Sequence, residues 1–227
     1  MTLAQEEKVY WNNGLLKIEG MLWKQPGENG VVICHPHPLM GGSMHNNVVE
    51  AIRDAFALKK YTTLRFNFRG AGNSTGNYDE GRGEQADILS AQKFLKNNGI
   101  EKIVLAGYSF GAWVGSKVLE KFNQLFVASI LVSPPHNYFD FDWNVLKNKI
   151  DLIVSGDCDQ YCDVDVLKKK AKEINCRMEI IYETDHFYSG KEQELIDILL
   201  KHIVKYNEKI VKKSLILKKI MLKFTSI

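Results

Sequence analysis

The sequence predicts an α/β fold: a mostly parallel central sheet, an antiparallel hairpin at the N-terminal end and helices on both faces. Three observations carry this reading. Short apolar runs such as Val31–Cys34 and Ile103–Ala106 suit strands buried on both faces. Segments with helical periodicity alternate with them along the chain. Ahead of both, Glu7–Trp11 and Leu15–Trp23 flank the turn Asn12-Asn13-Gly14, a hairpin signature. The chain has 227 residues, 45% hydrophobic and 25% charged. That suits one domain with a sizeable core and excludes a disordered or collagen-like chain.

The elements follow in order. In Asn46–Lys59, Val49, Ile52, Arg53, Phe56 and Ala57 fall on neighbouring helical turns. Thr62–Phe68 reads as a strand and Arg69–Gly83 as a polar, glycine-rich loop. Glu84–Asn97 is a helix closed by Asn98-Gly99. Ile103–Ala106 is a strand and Phe110–Lys121 a helix; Phe126–Val132 is a strand stopped by Ser133-Pro134-Pro135. Leu152–Ser155 is a strand ending at Gly156-Asp157, Val164–Ile174 a helix, Met178–Tyr182 a strand and Glu192–Tyr206 the closing helix. Residues 1–206 form one expected domain, with 207–227 a basic extension. Helices between buried strands require right-handed crossovers, and such sheets place their sites at the C-terminal strand ends. Ser109, Asp157, Asp159 and His186 all fall just after expected strands, so they should gather on one edge.

Charge and cysteine usage narrow the class. The formal charge of +3 hides a division: residues 201–227 carry +7 and the preceding 200 carry −4. A mildly acidic body gives no nucleic-acid footprint. Met1 to Trp11 is polar and no apolar run is long enough to span a bilayer, so the expected location is the cytoplasm. Cys34, Cys158, Cys162 and Cys176 are then expected as free thiols. Cys158 and Cys162 have no second ligand pair at zinc spacing.

The chemistry centres on Gly107-Tyr108-Ser109-Phe110-Gly111, a G-x-S-x-G sequence between a strand and a helix. In that context it forms a nucleophile elbow. The turn is so tight that side chains two residues either side of the serine would collide, and the glycines remove the clash. The hydroxyl then stands proud at a helix N-terminus, where backbone N–H groups favour negative charge. Ser109 is the candidate nucleophile. His186, in the polar stretch Glu183–His186 after the last expected strand, is the candidate base. His136 comes one strand too early, His202 falls on a helix expected at the surface, and His45 sits where capping is the expected job. Asp157 and Asp159 both offer a carboxylate to orient the imidazole.

The chain resembles the α/β-hydrolase superfamily from about Leu15 to His202, in which serine, acid and histidine come in this order. Within it, His35-Pro36-His37-Pro38-Leu39-Met40-Gly41-Gly42, Arg65-Phe66-Asn67-Phe68-Arg69-Gly70 through Gly76, and Asp185-His186-Phe187-Tyr188 are similar to small lidless bacterial serine hydrolases. Dienelactone hydrolase-like proteins share the architecture but use cysteine where this chain has Ser109. The resemblance implies no lid: Pro134 to Lys149 has room for one short helix at most. Its G-x-x-D pattern selects Asp159 over Asp157. Asp157 is then expected to brace its loop, as aspartates do in turns. An oxyanion hole needs two backbone N–H groups. Phe110 is expected to supply one. Proline has no N–H, so His37 is expected to supply the other, with Leu39 as the alternative. A metal pair at His35 and His37 lacks a third ligand.

The resemblance implies hydrolysis of a small-molecule carboxylic ester or thioester by Ser109, Asp159 and His186, with no cofactor and no metal. Peptidase or amidase chemistry uses the same residues, and a non-catalytic hydrolase-fold binding protein is the alternative outside enzymes. The loop Arg65–Ser74 lacks the lysine and hydroxyl of a phosphate cradle; the resemblance implies that it borders the active site, with Asn67 and Arg69 structural. Trp113, Phe141, Trp143 and Phe187 are candidates for an acyl pocket or for core. The lysine-rich segment Lys209–Ile227 reads first as a solvated or packed extension; its amphipathicity also suits weak contact with an acidic membrane surface.

Overall fold

A computed structural model describes residues 6–204. Eight strands form one sheet: β1 (Glu7–Asn13), β2 (Leu16–Trp23), β3 (Asn29–Cys34), β4 (Thr62–Phe66), β5 (Lys102–Tyr108), β6 (Ala128–Val132), β7 (Leu152–Gly156) and β8 (Arg177–Ile181). Their order is β1-β2-β4-β3-β5-β6-β7-β8. The pairs β1·β2 and β2·β4 are antiparallel and all others are parallel. The helices are α1 (Asn47–Leu58), α2 (Arg82–Asn97), α3 (Phe110–Phe122), α4 (Val164–Glu173) and α5, helical over residues 192–204. The domain boundary expected at residue 206 and the extension beyond it lie outside the described residues.

The two-residue period of a strand sends alternate side chains to opposite faces. Val31 and Ile33 face α1 and α5, with Val104, Ala106, Ile130 and Val154 alongside. Val32 and Cys34 face α2, α3 and α4, with Leu105, Leu131 and Ile153 alongside. Both faces of β3 and β5 are therefore core, and each fully buried Val, Leu or Ile contributes about 1.5–3 kcal/mol. This is why those runs read as apolar without alternation.

Where the boundaries differ from expectation, side chains decide. The hairpin closes one step later than expected: Asn12 and Asn13 extend β1, and Gly14 turns at φ +60. The Asn13 side chain is held in line by donating to Asp87 of α2 at 2.8 Å. β4 stops at Phe66 because the Phe68 amide goes instead to the His35 ring, 3.0 Å away. α1 is capped by Asn46, whose side-chain oxygen Oδ1 accepts from the Val48 amide at 2.9 Å; His45, the expected cap, instead lies against Arg65 at 3.2 Å. The stretch from Pro134 to Lys149 holds turns and no helix. Among the described residues no helix is long and apolar enough to cross a membrane.

Candidate active site

Ser109 leaves β5 with φ +54 and ψ −120, a conformation costly for any residue with a Cβ. Two glycines permit it. A Cβ on Gly107 would stand 2.4 Å from the Gly111 carbonyl oxygen, and one on Gly111 would stand 2.5 Å from that of Cys34. The elbow is pinned by the Ser109 amide donating to Val132 at 3.0 Å, while the Ser109 carbonyl accepts the first turn of α3.

The sheet edge brings His186 and Asp159 to this serine. His186 Nε2 lies 2.8 Å from Ser109 Oγ, and Nδ1 lies 2.8 and 2.9 Å from the two Asp159 carboxylate oxygens. A carboxylate only accepts, so Nδ1 carries the hydrogen and Nε2 is left bare to accept the serine proton. All three are buried or nearly so. Burial alone would raise the Asp159 pKa, but hydrogen bonds from His186, Ser133 and the Tyr161 amide outweigh it and hold the carboxyl below its ordinary value.

Positioning comes from groups without any local sequence signal. The Tyr161 amide donates to Asp159 at 2.9 Å, and the Tyr161 ring lies 4.4 Å from the imidazole. Tyr108 donates its hydroxyl to the His186 carbonyl at 2.7 Å. Ser133, itself at φ +43, bonds Tyr188 at 2.8 Å. Asp157 is exposed and turned away: it accepts from the Thr184 amide at 3.3 Å, and the Cys158 amide donates to the Thr184 carbonyl at 3.0 Å. These bonds stitch the loop after β7 to the loop after β8, so Asp157 braces what Asp159 uses.

The loop after β3 covers the other side. His35 is fully buried; its Nδ1 donates to the Pro36 carbonyl at 2.6 Å and its Nε2 accepts from Phe68. Burial pulls its pKa down to about 4, so it is neutral and has no nitrogen left for a metal. His37 Nδ1 accepts from the Leu39 amide at 3.2 Å, which leaves Nε2 to donate to Tyr78. That bond engages the N–H of Leu39, the alternative oxyanion donor. Phe110, as the first residue of α3, has no carbonyl in the preceding turn for its N–H.

Other sequence-read residues lie elsewhere. His136 is half-buried and bonds the Asp163 carbonyl. His202 is half-buried beside Phe56 and Tyr61 rather than at the surface, because α5 lays that side on the sheet. Phe187 lines the cleft, but Trp113 stacks on Phe139 and Phe141 on Trp143, outside it. Arg69 binds Asp87 at 2.9 Å, and Asn67 donates to Glu19 at 2.8 Å, so the glycine-rich loop is a structural cross-link. Glu19 and Asp87, its buried anchors, were invisible as such in sequence.

Asp159, Cys162 and His186 are the group among the described residues with ligand atoms within 4.8 Å of one another. Their bonds suit a proton relay better than a metal. The carboxylate and Nδ1 satisfy each other, while burial pushes the Cys162 thiol up and it donates to the Pro134 carbonyl at 3.1 Å. All four cysteines are free thiols.

A parallel sheet with a serine elbow at its C-terminal edge defines a hydrolase class, and the chain belongs to the α/β hydrolase family, whose description as an alpha/beta hydrolase fold matches residues 30–161. An uncharacterized protein of Rickettsia prowazekii is 33% identical over 204 residues, covering 82% of this chain and 84% of its own. An alpha-beta serine hydrolase homologue from Coxiella burnetii superposes with a TM-score of 0.80 at 31% identity, over 88% of this chain and 99% of that one. A protein of unknown function from Agrobacterium tumefaciens superposes with a TM-score of 0.82 at 29% identity, over 89% and 97%.

Proposed function

We propose that this hydrolase cleaves carboxylic esters or thioesters of small molecules through an acyl-enzyme on Ser109. The observation that carries the reading is the unbroken relay from Ser109 Oγ through His186 to Asp159, each link between 2.8 and 2.9 Å. His186 Nε2 takes the hydroxyl proton as Oγ attacks the acyl carbon. The imidazolium that forms is stabilised by Asp159, which stays ionised. The Phe110 and His37 amides bind the oxygen as it becomes negative, aided by the positive end of α3. His186 then returns the proton to the leaving alkoxide or thiolate. Water, deprotonated by the same nitrogen, releases the acid.

Incubation with a fluorophosphonate, followed by peptide mass spectrometry, tests the reading. Labelling is expected at Ser109 and should vanish in His186→Ala. A folded protein that takes no label at Ser109 overturns it. An ester, thioester and anilide panel separates the bond types: faster turnover of the anilides would replace ester cleavage by amidase chemistry.

A further inference from the structure

Buried backbone strain in this fold gathers at one place. Among the described residues, eight other than glycine have a positive φ. Five of them, Lys60, Glu80, Asn148, Asn175 and Glu183, sit in exposed turns. The three that are buried are Ser109 at φ +54, Ser133 at +43 and Tyr188 at +57. A serine just before a proline and a bulky tyrosine are both poor choices for that region of backbone. Such conformations persist only where the surroundings over-determine them, and they collect at functional sites. Ser109 is the proposed nucleophile; Ser133 and Tyr188 are the two left over.

Both of their hydroxyls lie behind the acid. Ser133 directly follows β6, and Tyr188 follows His186 by two residues in the loop after β8. Each is 0% exposed, and their oxygens are 2.8 Å apart. Ser133 also hydrogen-bonds the Asp159 carboxylate. A carboxylate only accepts, so the Ser133 hydrogen goes to Asp159 and the Ser133 oxygen is left to accept from Tyr188. Burial pushes the Tyr188 phenol well above its ordinary pKa, so it keeps the hydrogen it donates. Hydrogens then run from Tyr188 to Ser133 to Asp159, and from His186 to the same carboxylate. Because Tyr188 and His186 share a loop, these bonds close into a ring through the ends of β6, β7 and β8. Packing needs neither hydroxyl. The Ser133 amide continues the ladder by donating to Val154 at 2.8 Å, and the Tyr188 ring rests edge-on against Tyr108 at 6.2 Å.

We propose that Ser133 and Tyr188 are positioning residues: their hydroxyls fix the Asp159 carboxylate on His186 Nδ1, with Tyr188 acting only through Ser133. Neither lines the cleft. The inference rests on the hydrolase reading, so its test includes a measurement that needs no catalysis.

Two substitutions each remove one hydroxyl with little disturbance. Ser133→Gly also relieves the positive φ, and Tyr188→Phe keeps the ring. Melting temperature controls for folding. Labelling of Ser109 by a fluorophosphonate is followed as a rate constant at saturation and the concentration that gives half of it. Ser133→Gly is expected to lower the rate constant about tenfold to a hundredfold, the worth of a hydrogen bond to a charged group, with the half-saturating concentration within about twofold of the wild type. Tyr188→Phe should lose roughly threefold to tenfold. Made on top of Ser133→Gly, it should lose less than about twofold. Wild-type rates in Ser133→Gly, or losses that multiply in the double variant, overturn the proposal. In parallel, the proton on His186 Nδ1 is observed by NMR as a low-field line absent from His186→Ala. It should be sharp in the wild type, shifted in Tyr188→Phe and broadened or lost in Ser133→Gly, as the carboxylate becomes free to turn. An identical line in all three proteins also overturns the proposal. A wild type that takes no label but shows these line changes would leave the ring standing and sink the hydrolase reading.

Discussion

At the scale of single residues, the two aspartates after β7 do opposite jobs although they are two positions apart. Asp159 is 6% exposed and bonded to the imidazole, whereas Asp157 is exposed and bonds backbone. Asp159→Asn removes the acceptor that fixes Nδ1–H and is expected to lower turnover by about 10⁴, whereas Asp157→Asn, which keeps an oxygen for the Thr184 amide, should cost less than about tenfold. Ester kinetics on both variants check this, and the reverse ranking would reassign the acid. Ser109→Ala should lose about 10⁴–10⁶ in turnover while still binding substrate. The meeting of Ser109 and His186 was legible because the elbow has a fixed spacing and the histidine follows a strand. Ser133, Tyr161 and Tyr108 were not, since their contacts arise only when strands distant in sequence lie side by side. His45 and Asn46 show the limit of local reading: adjacent polar residues at a helix start compete for one cap, and only the backbone decides.

At the scale of elements, sequence pattern located every strand and α-helix within the described residues, but not the two 3-10 turns, and ends were set by side chains reaching across the sheet. β4 is shorter than its apolar run because His35 claims the next free amide. α2 starts at Arg82, two residues ahead of Glu84, after Gly81 at φ +81. The elbow gives this scale its prediction. Gly111→Ala would force a methyl against two backbone carbonyls of the β3 loop, at 2.5 Å from Cys34 and 2.7 Å from His35. Neither can yield without moving β3 from α3. Gly115, four residues on, has only the Leu105 side chain at 3.5 Å. Gly111→Ala is therefore expected to destabilise by more than about 2 kcal/mol, and Gly115→Ala, which also gains helix propensity, to lie within about 1 kcal/mol of the wild type. Urea unfolding distinguishes them; equal stabilities would mean that the elbow does not hold β3 to α3.

At the scale of the whole molecule, two buried titratable groups tie stability to pH. Glu19 is 2% exposed. Burial would raise its pKa, but Asn73 side chain and amide, Asn67 and Lys8 overcome that and pull it down to about 2 from an ordinary 4.5. His35 is pulled by burial to about 4 from an ordinary 6.5. In both, the folded chain holds fewer protons than the unfolded chain between the two values, so acid favours unfolding. The His35 contribution is complete above pH 6.5 and disappears as pH falls towards about 4. The Glu19 contribution is complete above pH 4.5 and disappears towards about 2. Each amounts to about 3 kcal/mol at most. Because His35 joins the loop after β3 to the loop after β4, its protonation breaks the bond to the Phe68 amide and loosens the wall that carries His37. Loss of activity at mild acid should therefore include a structural component, in step with the first fall in stability. Urea unfolding from about pH 7 down to about pH 3 tests this. His35→Asn should be less stable at neutral pH yet fall less steeply between about pH 6.5 and 4, and Glu19→Gln should flatten the range below about pH 4.5. Curves that stay parallel to the wild type in both variants would place the acid sensitivity in other groups.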